Sequence, residues 1–105
     1  MAARISEADF EEKVLKSDKP VIVDFYSDSC VPCKKMAPVL GQAEDDYEDK
    51  LVVYKVNSNF DTALAEKYGV QANPTLIFFA AGEEKDRSVG ALNPMQLNAW
   101  IDKNL

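Results

Sequence analysis

One stretch decides the fold, Asp24-Phe25-Tyr26-Ser27-Asp28-Ser29-Cys30-Val31-Pro32-Cys33-Lys34-Lys35, and it holds both cysteines of the chain. An apolar run, Val21-Ile22-Val23, precedes it, and a helix-like run over residues 36–47 follows it. A Cys-x-x-Cys pair between a strand and a helix is typical of a thiol–disulfide redox site. The stretch therefore predicts a strand, a redox-active turn and a helix in succession.

The residues alone leave three alternatives to a redox role for the cysteine pair. A structural zinc site needs four Cys or His ligands, and the chain has no histidine and no third cysteine, which leaves only a metal shared across a dimer. A purely structural disulfide at this spacing closes a very short loop and stabilises little. The third alternative is that both cysteines are inert buried thiols. The proline and lysine beside the pair favour a reactive site instead.

Length and charge exclude several classes of protein. The 105 residues fit one domain spanning residues 1–105, and we expect it to bind no metal and no cofactor. The formal net charge is −6 with acidic residues spread along the chain, which argues against nucleic acid as a partner. No apolar run approaches the ~20 residues needed to cross a bilayer, and no apolar signal core follows Met1. We expect a cytoplasmic monomer in a compartment that keeps idle thiols reduced.

The rest of the chain alternates between strand and helix patterns. The first helix is expected to begin with Ser6 as its N-cap and to bury Phe10, Val14 and Leu15. Strands are predicted at residues 3–5, 21–26, 51–57, 76–79 and 85–89, with helices at 36–47, at 62–68 and after Asn93. Pro38 is expected to kink the second helix. This order predicts an α/β fold in which helices cover both faces of a mixed sheet.

Asp24 interrupts the apolar strand at residues 21–26. An ionised carboxylate costs several kcal/mol to bury without a partner, so we expect its pKa to rise. The alternative is that Asp24 points outward at a sheet edge. Lys55, in the next predicted strand, neighbours Asp24 if the two strands pair, and is otherwise a surface lysine with a buried stem.

The two cysteines are expected to divide the chemistry between them. Pro32 suits the first turn of the next helix, which places Cys30 at the helix amino end. Unpaired N–H groups and the helix dipole there lower the pKa of a thiol, and the two following lysines act in the same direction. Cys30 is thus the predicted nucleophile, and the more buried Cys33 resolves the mixed disulfide. With no histidine present, Asp24 is the predicted acceptor of the Cys33 proton.

These residues resemble the thioredoxin family along nearly the whole chain. The motifs that carry the resemblance are Val23-Asp24-Phe25-Tyr26, Ser29-Cys30-Val31-Pro32-Cys33-Lys34, Pro38, Lys55, Asn73-Pro74-Thr75 and Val89-Gly90-Ala91-Leu92. The resemblance implies a five-stranded mixed sheet flanked by four helices, with a cis peptide at Pro74. It also implies catalysis by Cys30, Cys33, Asp24 and Lys55, and substrate binding by Ser29, Val31, Pro32, Asn73, Pro74, Gly90 and Ala91.

Departures from the family pattern fall on the partner-docking face. The family has tryptophan where this chain has Ser29, glycine where it has Val31, and an apolar residue where it has Asn73. These changes make the face more polar and add a β-branched side chain beside Cys30. They suggest that the redox chemistry is kept while the choice of partner differs.

Two functions follow from the resemblance. The first is a dithiol–disulfide oxidoreductase that reduces disulfides in client proteins and is recharged by a thioredoxin reductase or another electron donor. The reducing direction is expected because Val31 and Pro32 offer no donor side chain to stabilise an exposed thiolate. The alternative is a partner-binding module with a minor redox role, to which Ser29 and Asn73 lend some support.

Overall fold

Five strands and four helices make up the described part of the chain, residues 2–105 of a computed structural model. The strands are β1 (Ala3–Arg4), β2 (Val21–Tyr26), β3 (Val52–Asn57), β4 (Thr75–Ala80) and β5 (Glu83–Val89). The helices are α1 (Glu7–Phe10, continued by Glu11–Leu15), α2 (Val31–Asp46), α3 (Thr62–Lys67) and α4 (Pro94–Asn104). The predicted α/β fold is confirmed, and the element boundaries differ from those predicted by only a few residues.

The sheet is mixed and has the strand order β1-β3-β2-β4-β5. β3 pairs in parallel with β1 and β2, whereas β4 is antiparallel to both β2 and β5. β2 is therefore a central strand with a neighbour on each side. Its first five residues are buried, as expected for a strand covered on both faces.

Side-chain alternation divides the core between the two faces of the sheet. Val23 and Phe25 pack on one face with residues of α1 and α3, whereas Ile22 packs on the other face with residues of α2 and α4. Asp24 has the same parity as Ile22, so its side chain points toward the α2 side. This alternation places the carboxyl group on the face that carries the cysteine helix.

The first helix begins where the sequence predicts but is irregular at both ends. Ser6 is the N-cap residue, as predicted, but its hydroxyl accepts no helical N–H and donates to Asp9 Oδ2 at 3.4 Å. The N–H of Glu7, the first helical residue, donates to Asp61 Oδ1 at 3.2 Å. The final turns widen into a π-helix, in which Lys16 N–H donates to Glu11 O at 2.9 Å.

The last two elements follow their sequence signals. The turn between β4 and β5 uses Ala81 and Gly82 with φ values of 54° and 79°, a region in which glycine is the least strained residue. Asn93 and Gln96 then form a reciprocal capping box at the start of α4, and Pro94 is the first helical residue. The predicted start of this helix is confirmed.

Candidate active site

Cys30 lies at the start of α2, where the chain leaves the central strand. It is the N-cap residue, with φ −86° and ψ 106°, and its Sγ accepts the backbone N–H of Cys33 at 3.1 Å. Pro32 lies in the first turn, where a missing N–H removes no helical hydrogen bond. The helix amino terminus therefore directs a backbone donor at the first sulfur, as the sequence predicts.

The two cysteines form a disulfide, with their Cα atoms 5.2 Å apart. Cys33 is buried at 5 % exposure, whereas Cys30 is half-buried at the protein surface. This asymmetry matches the expected division into an accessible attacking sulfur and a shielded resolving sulfur.

Asp24 is a buried carboxylic acid in the middle of the sheet. It is 5 % exposed, and its Oδ1 has no hydrogen-bond partner among residues 2–105. Loss of hydration on burial raises the pKa of Asp24 from 3.8 to about 7, while the positive charge of Lys55 opposes that rise. The predicted burial and raised pKa are confirmed, and the alternative position at a sheet edge is excluded because β2 is central.

Lys55 lies directly beside Asp24 across the β2–β3 pair. Together with Ala37 and Leu40 of α2, the two residues line a small cavity of about 30 Å³. The Lys55 ammonium also lies 5.2 Å from the centre of the Tyr26 ring, a cation–π distance. The predicted neighbour relation is confirmed: Lys55 is half-buried against the redox strand rather than a free surface lysine.

The loop before β4 meets the redox turn at the same edge of the sheet. Phe25 pairs with Thr75 in the antiparallel β2–β4 ladder, so the end of β2 lies beside the start of β4. The Asn73–Pro74 peptide is cis, as the resemblance implies. Pro74 O accepts the N–H of Gly90 at 2.8 Å, which brings the Gly90–Ala91 segment to this edge as well.

The predicted substrate-binding residues differ in their exposure. Those around the disulfide are exposed, with Val31 at 59 %, whereas Asn73 is half-buried and Pro74 is buried. Val31 therefore presents an exposed apolar side chain beside Cys30. Val31 and Pro32 lie in the first turn of α2, and the other five predicted residues lie in loops: Ser29, Asn73, Pro74, Gly90 and Ala91.

Several polar residues of this edge were missed by the sequence reasoning. Asn57 Nδ2 donates to Asp28 Oδ2 at 3.3 Å, and Ser58 Oγ donates to Asn73 Oδ1 at 3.0 Å. Both hydrogen bonds join segments that are far apart in sequence, and no spacing pattern in the sequence predicts such a bond. The only signal in the sequence was the polar character of the loop after β3, which is also common in solvated loops.

The described residues show neither a cluster of metal ligands nor a helix that could span a membrane. Residues 2–105 contain no group of three or more His, Cys, Asp or Glu side chains arranged to hold a metal ion. Across the same residues, none of the helices has the length and apolar character that a membrane span requires.

Known proteins resemble this chain along its whole length. The sequence profile of the Thioredoxin family matches residues 1–103. A thioredoxin of Pseudomonas aeruginosa is 44% identical over 101 residues, which are 96% of this chain and 94% of that protein. A thioredoxin of Rickettsia bellii is 39% identical over 105 residues, covering 100% of both chains. A protein of Nostoc named thioredoxin 1 is 38% identical over 104 residues, 99% of this chain and 97% of that protein.

Proposed function

The chain belongs to the thioredoxin family and is a dithiol–disulfide oxidoreductase, and on this premise we propose that Cys30 attacks, Cys33 resolves and Asp24 accepts the proton. The observation that carries these roles is the Cys33 N–H directed at Cys30 Sγ at the start of α2. A donor aimed at a sulfur stabilises its thiolate more than its thiol and therefore lowers the pKa of the nucleophile.

The reaction transfers two electrons from the cysteine pair to a client disulfide. The Cys30 thiolate attacks one client sulfur, a new S–S bond forms, and the other client sulfur leaves as a thiolate. Cys33 then gives its proton to Asp24 and attacks the Cys30 sulfur, which forms the Cys30–Cys33 disulfide and releases the second client thiolate. Each released thiolate takes up a proton according to its own pKa.

Asp24 suits the second step because of its surroundings. A pKa near 7 leaves a substantial fraction of the carboxyl ionised at neutral pH, while its conjugate acid remains strong enough to release the proton later. The cavity shared with Lys55 lies against α2, the helix that carries Cys33. Lys55 acts in this scheme by favouring the ionised carboxylate.

The family implies client proteins with disulfides and a reductase that regenerates the dithiol. For this chain we propose a thioredoxin reductase or another dedicated electron donor, with the protein acting as a cytoplasmic monomer. Client contacts are proposed for Ser29, Val31, Pro32, Asn73, Pro74, Gly90 and Ala91. The alternative of a partner-binding module is not favoured, because the family match is accompanied by a bonded cysteine pair.

Cys33→Ser tests the division of roles. The variant keeps the attacking sulfur but lacks the resolving one, so it should accumulate a mixed disulfide with a disulfide-bonded client, visible by mass on a non-reducing gel. Cys30→Ser is the matched control and should form much less of that adduct. Equal trapping by the two variants would overturn the assignment of Cys30 as nucleophile.

An equilibrium redox titration tests the direction of electron flow. The Cys30/Cys33 pair would be equilibrated with dithiothreitol and glutathione buffers, and the reduced fraction read by thiol labelling. A potential close to that of reducing dithiol proteins, roughly −270 mV, supports client reduction. A potential near −120 mV, typical of strong disulfide oxidants, would contradict it.

A further inference from the structure

One side-chain hydrogen bond joins the loop after β3 to the loop before β4 at the active-site edge. Ser58 Oγ donates to Asn73 Oδ1 at 3.0 Å. Asn73 comes directly before the cis peptide of Pro74, and both hydrogen-bonded residues are half-buried. The bond therefore joins two loops at the end of the sheet from which the chain continues to Cys30.

Backbone hydrogen bonds hold Ser58 in place independently of its bond to Asn73. Its own N–H donates to Tyr26 O at 2.7 Å, which ties the loop to the end of β2. The Asn57 side chain accepts the N–H groups of Asn59 and Phe60 at 3.0 and 3.2 Å, which closes the turn around Ser58. The donor thus belongs to an ordered turn rather than to a free loop tip.

Asn73 is restrained from its other side as well. Thr75 Oγ1 donates to Ala72 O at 2.6 Å, and Gly90 N–H donates to Pro74 O at 2.8 Å. Because Ser58 occupies the amide oxygen of Asn73, the amide nitrogen is turned away from Ser58. Within residues 2–105 that nitrogen has no hydrogen-bond acceptor, so two oriented donors remain available.

We propose that Asn73, oriented by Ser58, selects clients that carry a neutral hydrogen-bond acceptor side chain next to the attacked cysteine. The inference rests on the proposed attack by Cys30. The end of β2, which leads to Cys30, lies beside the start of β4, which follows Asn73, so the proposal places the residue next to the attacked cysteine within reach of the Asn73 amide. Ser, Thr, Asn and Gln side chains offer the matching acceptor.

Charge and desolvation narrow the choice of flanking residue. Exposed charges of both signs lie near the site, Asp28 on one side and Lys34 and Lys35 on the other, so the net charge of −6 disfavours an acidic flank only through the long-range field. An apolar flank would cover the Asn73 donors without supplying an acceptor, which costs the hydration of those donors. A neutral polar flank avoids both penalties.

The test uses two disulfide peptides that differ only in Asn or Leu beside the attacked cysteine, reduced by the full chain. A net hydrogen bond contributes about 1 kcal/mol, so wild-type kcat/KM should favour the Asn peptide about fivefold. Asn73→Leu should abolish that ratio, and Ser58→Ala should weaken it. Ser58→Thr keeps a hydroxyl group and should keep the wild-type ratio. Asn98→Leu, within α4, is the matched control and should leave it unchanged.

The outcomes separate this inference from the proposed function. Ser58→Ala, Ser58→Thr and Asn98→Leu are also assayed with an aromatic small-molecule disulfide that has no peptide flank, and these three variants should keep their activity there. A wild-type ratio near one, or the same ratio in wild type and both Asn73→Leu and Ser58→Ala, would overturn the role of Asn73. Loss of the small-disulfide activity in Cys33→Ser and its full retention in Cys30→Ser would instead refute the proposed roles of the cysteines.

Discussion

At the scale of single residues, the site contains a carboxyl group that is buried away from water. Asp24 is buried in an apolar strand with one oxygen unbonded among the described residues. Such a group favours its neutral form, so ionisation of Asp24 at neutral pH lowers the stability of the folded protein. The same carboxyl group is the proposed acceptor of the Cys33 proton. Lys55 offsets part of that loss of stability through its charge.

Asp24→Asn should increase the free energy of unfolding more at pH 8 than at pH 4. The folded-state pKa of about 7 exceeds the model-compound value of 3.8, so the folded state binds more protons between these values. Wild-type stability therefore falls as pH rises from about 4 to 7 and stays low above 7, by at most roughly 4 kcal/mol. Urea unfolding of both proteins at both pH values measures this difference, and parallel stability profiles would contradict it.

Lys55→Met should raise the pKa of Asp24 above its wild-type value. Removing the neighbouring positive charge takes away the attraction that favours the carboxylate, while the burial of Asp24 is retained. The Asp24 carboxyl resonance followed against pH by NMR measures the shift. Lys67→Met, which removes a lysine from α3, is the control and should leave the pKa unchanged. An unshifted pKa in Lys55→Met would rule out the proposed electrostatic role.

At the scale of elements, α1 and α4 both begin after a residue type favoured at N-caps, but only α4 has a side-chain cap. Asn93 accepts the N–H of Gln96 at 2.8 Å, and the Gln96 side chain accepts the N–H of Asn93 at 3.0 Å. Ser6 accepts no helical N–H, and its hydroxyl donates to Asp9 Oδ2 at 3.4 Å. A residue type favoured at N-caps is therefore a necessary but insufficient sign of a cap.

Asn93→Ala should cost more stability than Ser6→Ala. Loss of an N-cap side chain destabilises a protein by roughly 1 kcal/mol, whereas removal of the Ser6 hydroxyl deletes no helical hydrogen bond. We expect about 1 kcal/mol for Asn93→Ala and under about 0.5 kcal/mol for Ser6→Ala. Urea denaturation followed by circular dichroism compares the two. Equal losses would show that Ser6 caps its helix in solution.

At the scale of the whole molecule, one sheet supports two separate halves of the core. Phe79 lies on the α1 and α3 face, with ring centres 5.5 Å from Phe10 and 5.4 Å from Tyr68. Phe78 lies on the α2 and α4 face, 5.8 Å from the ring of Trp100. Adjacent residues of a central strand thus join the redox face to the opposite face.

Phe79→Ala should destabilise the redox face although its side chain lies on the opposite one. Truncating a buried phenylalanine typically costs about 3–5 kcal/mol, and a small cooperative fold loses that amount globally. Trp100, the only tryptophan, reports the α4 face by fluorescence. Its urea midpoint should fall together with the circular dichroism midpoint, and by an amount similar to that in Phe78→Ala. A tryptophan transition left at its wild-type midpoint would show that the two faces unfold independently.

Much of the fold and of the site was predictable because its signals are local. The apolar run of β2, the helix start at Pro32 and the cap at Asn93 each follow from neighbours within a few positions. The N-cap position of Cys30 followed from the proline two residues later, and the raised pKa of Asp24 followed from its place as an acid within an apolar run. These features depend on periodicity and on short-range sterics, which a sequence displays directly.

The sequence by itself thus determined the order of elements, the redox pair and the buried acid. Only the tertiary structure decided that the N–H of Glu7 bonds to Asp61, that Lys55 lies beside Asp24, and that Ser58 bonds to Asn73. It also decided the cis peptide at Pro74, where local preference alone favours trans. The physical reason is common to all four: each depends on groups that packing of the sheet brings together, and the strength of such contacts is not encoded by neighbours in the chain.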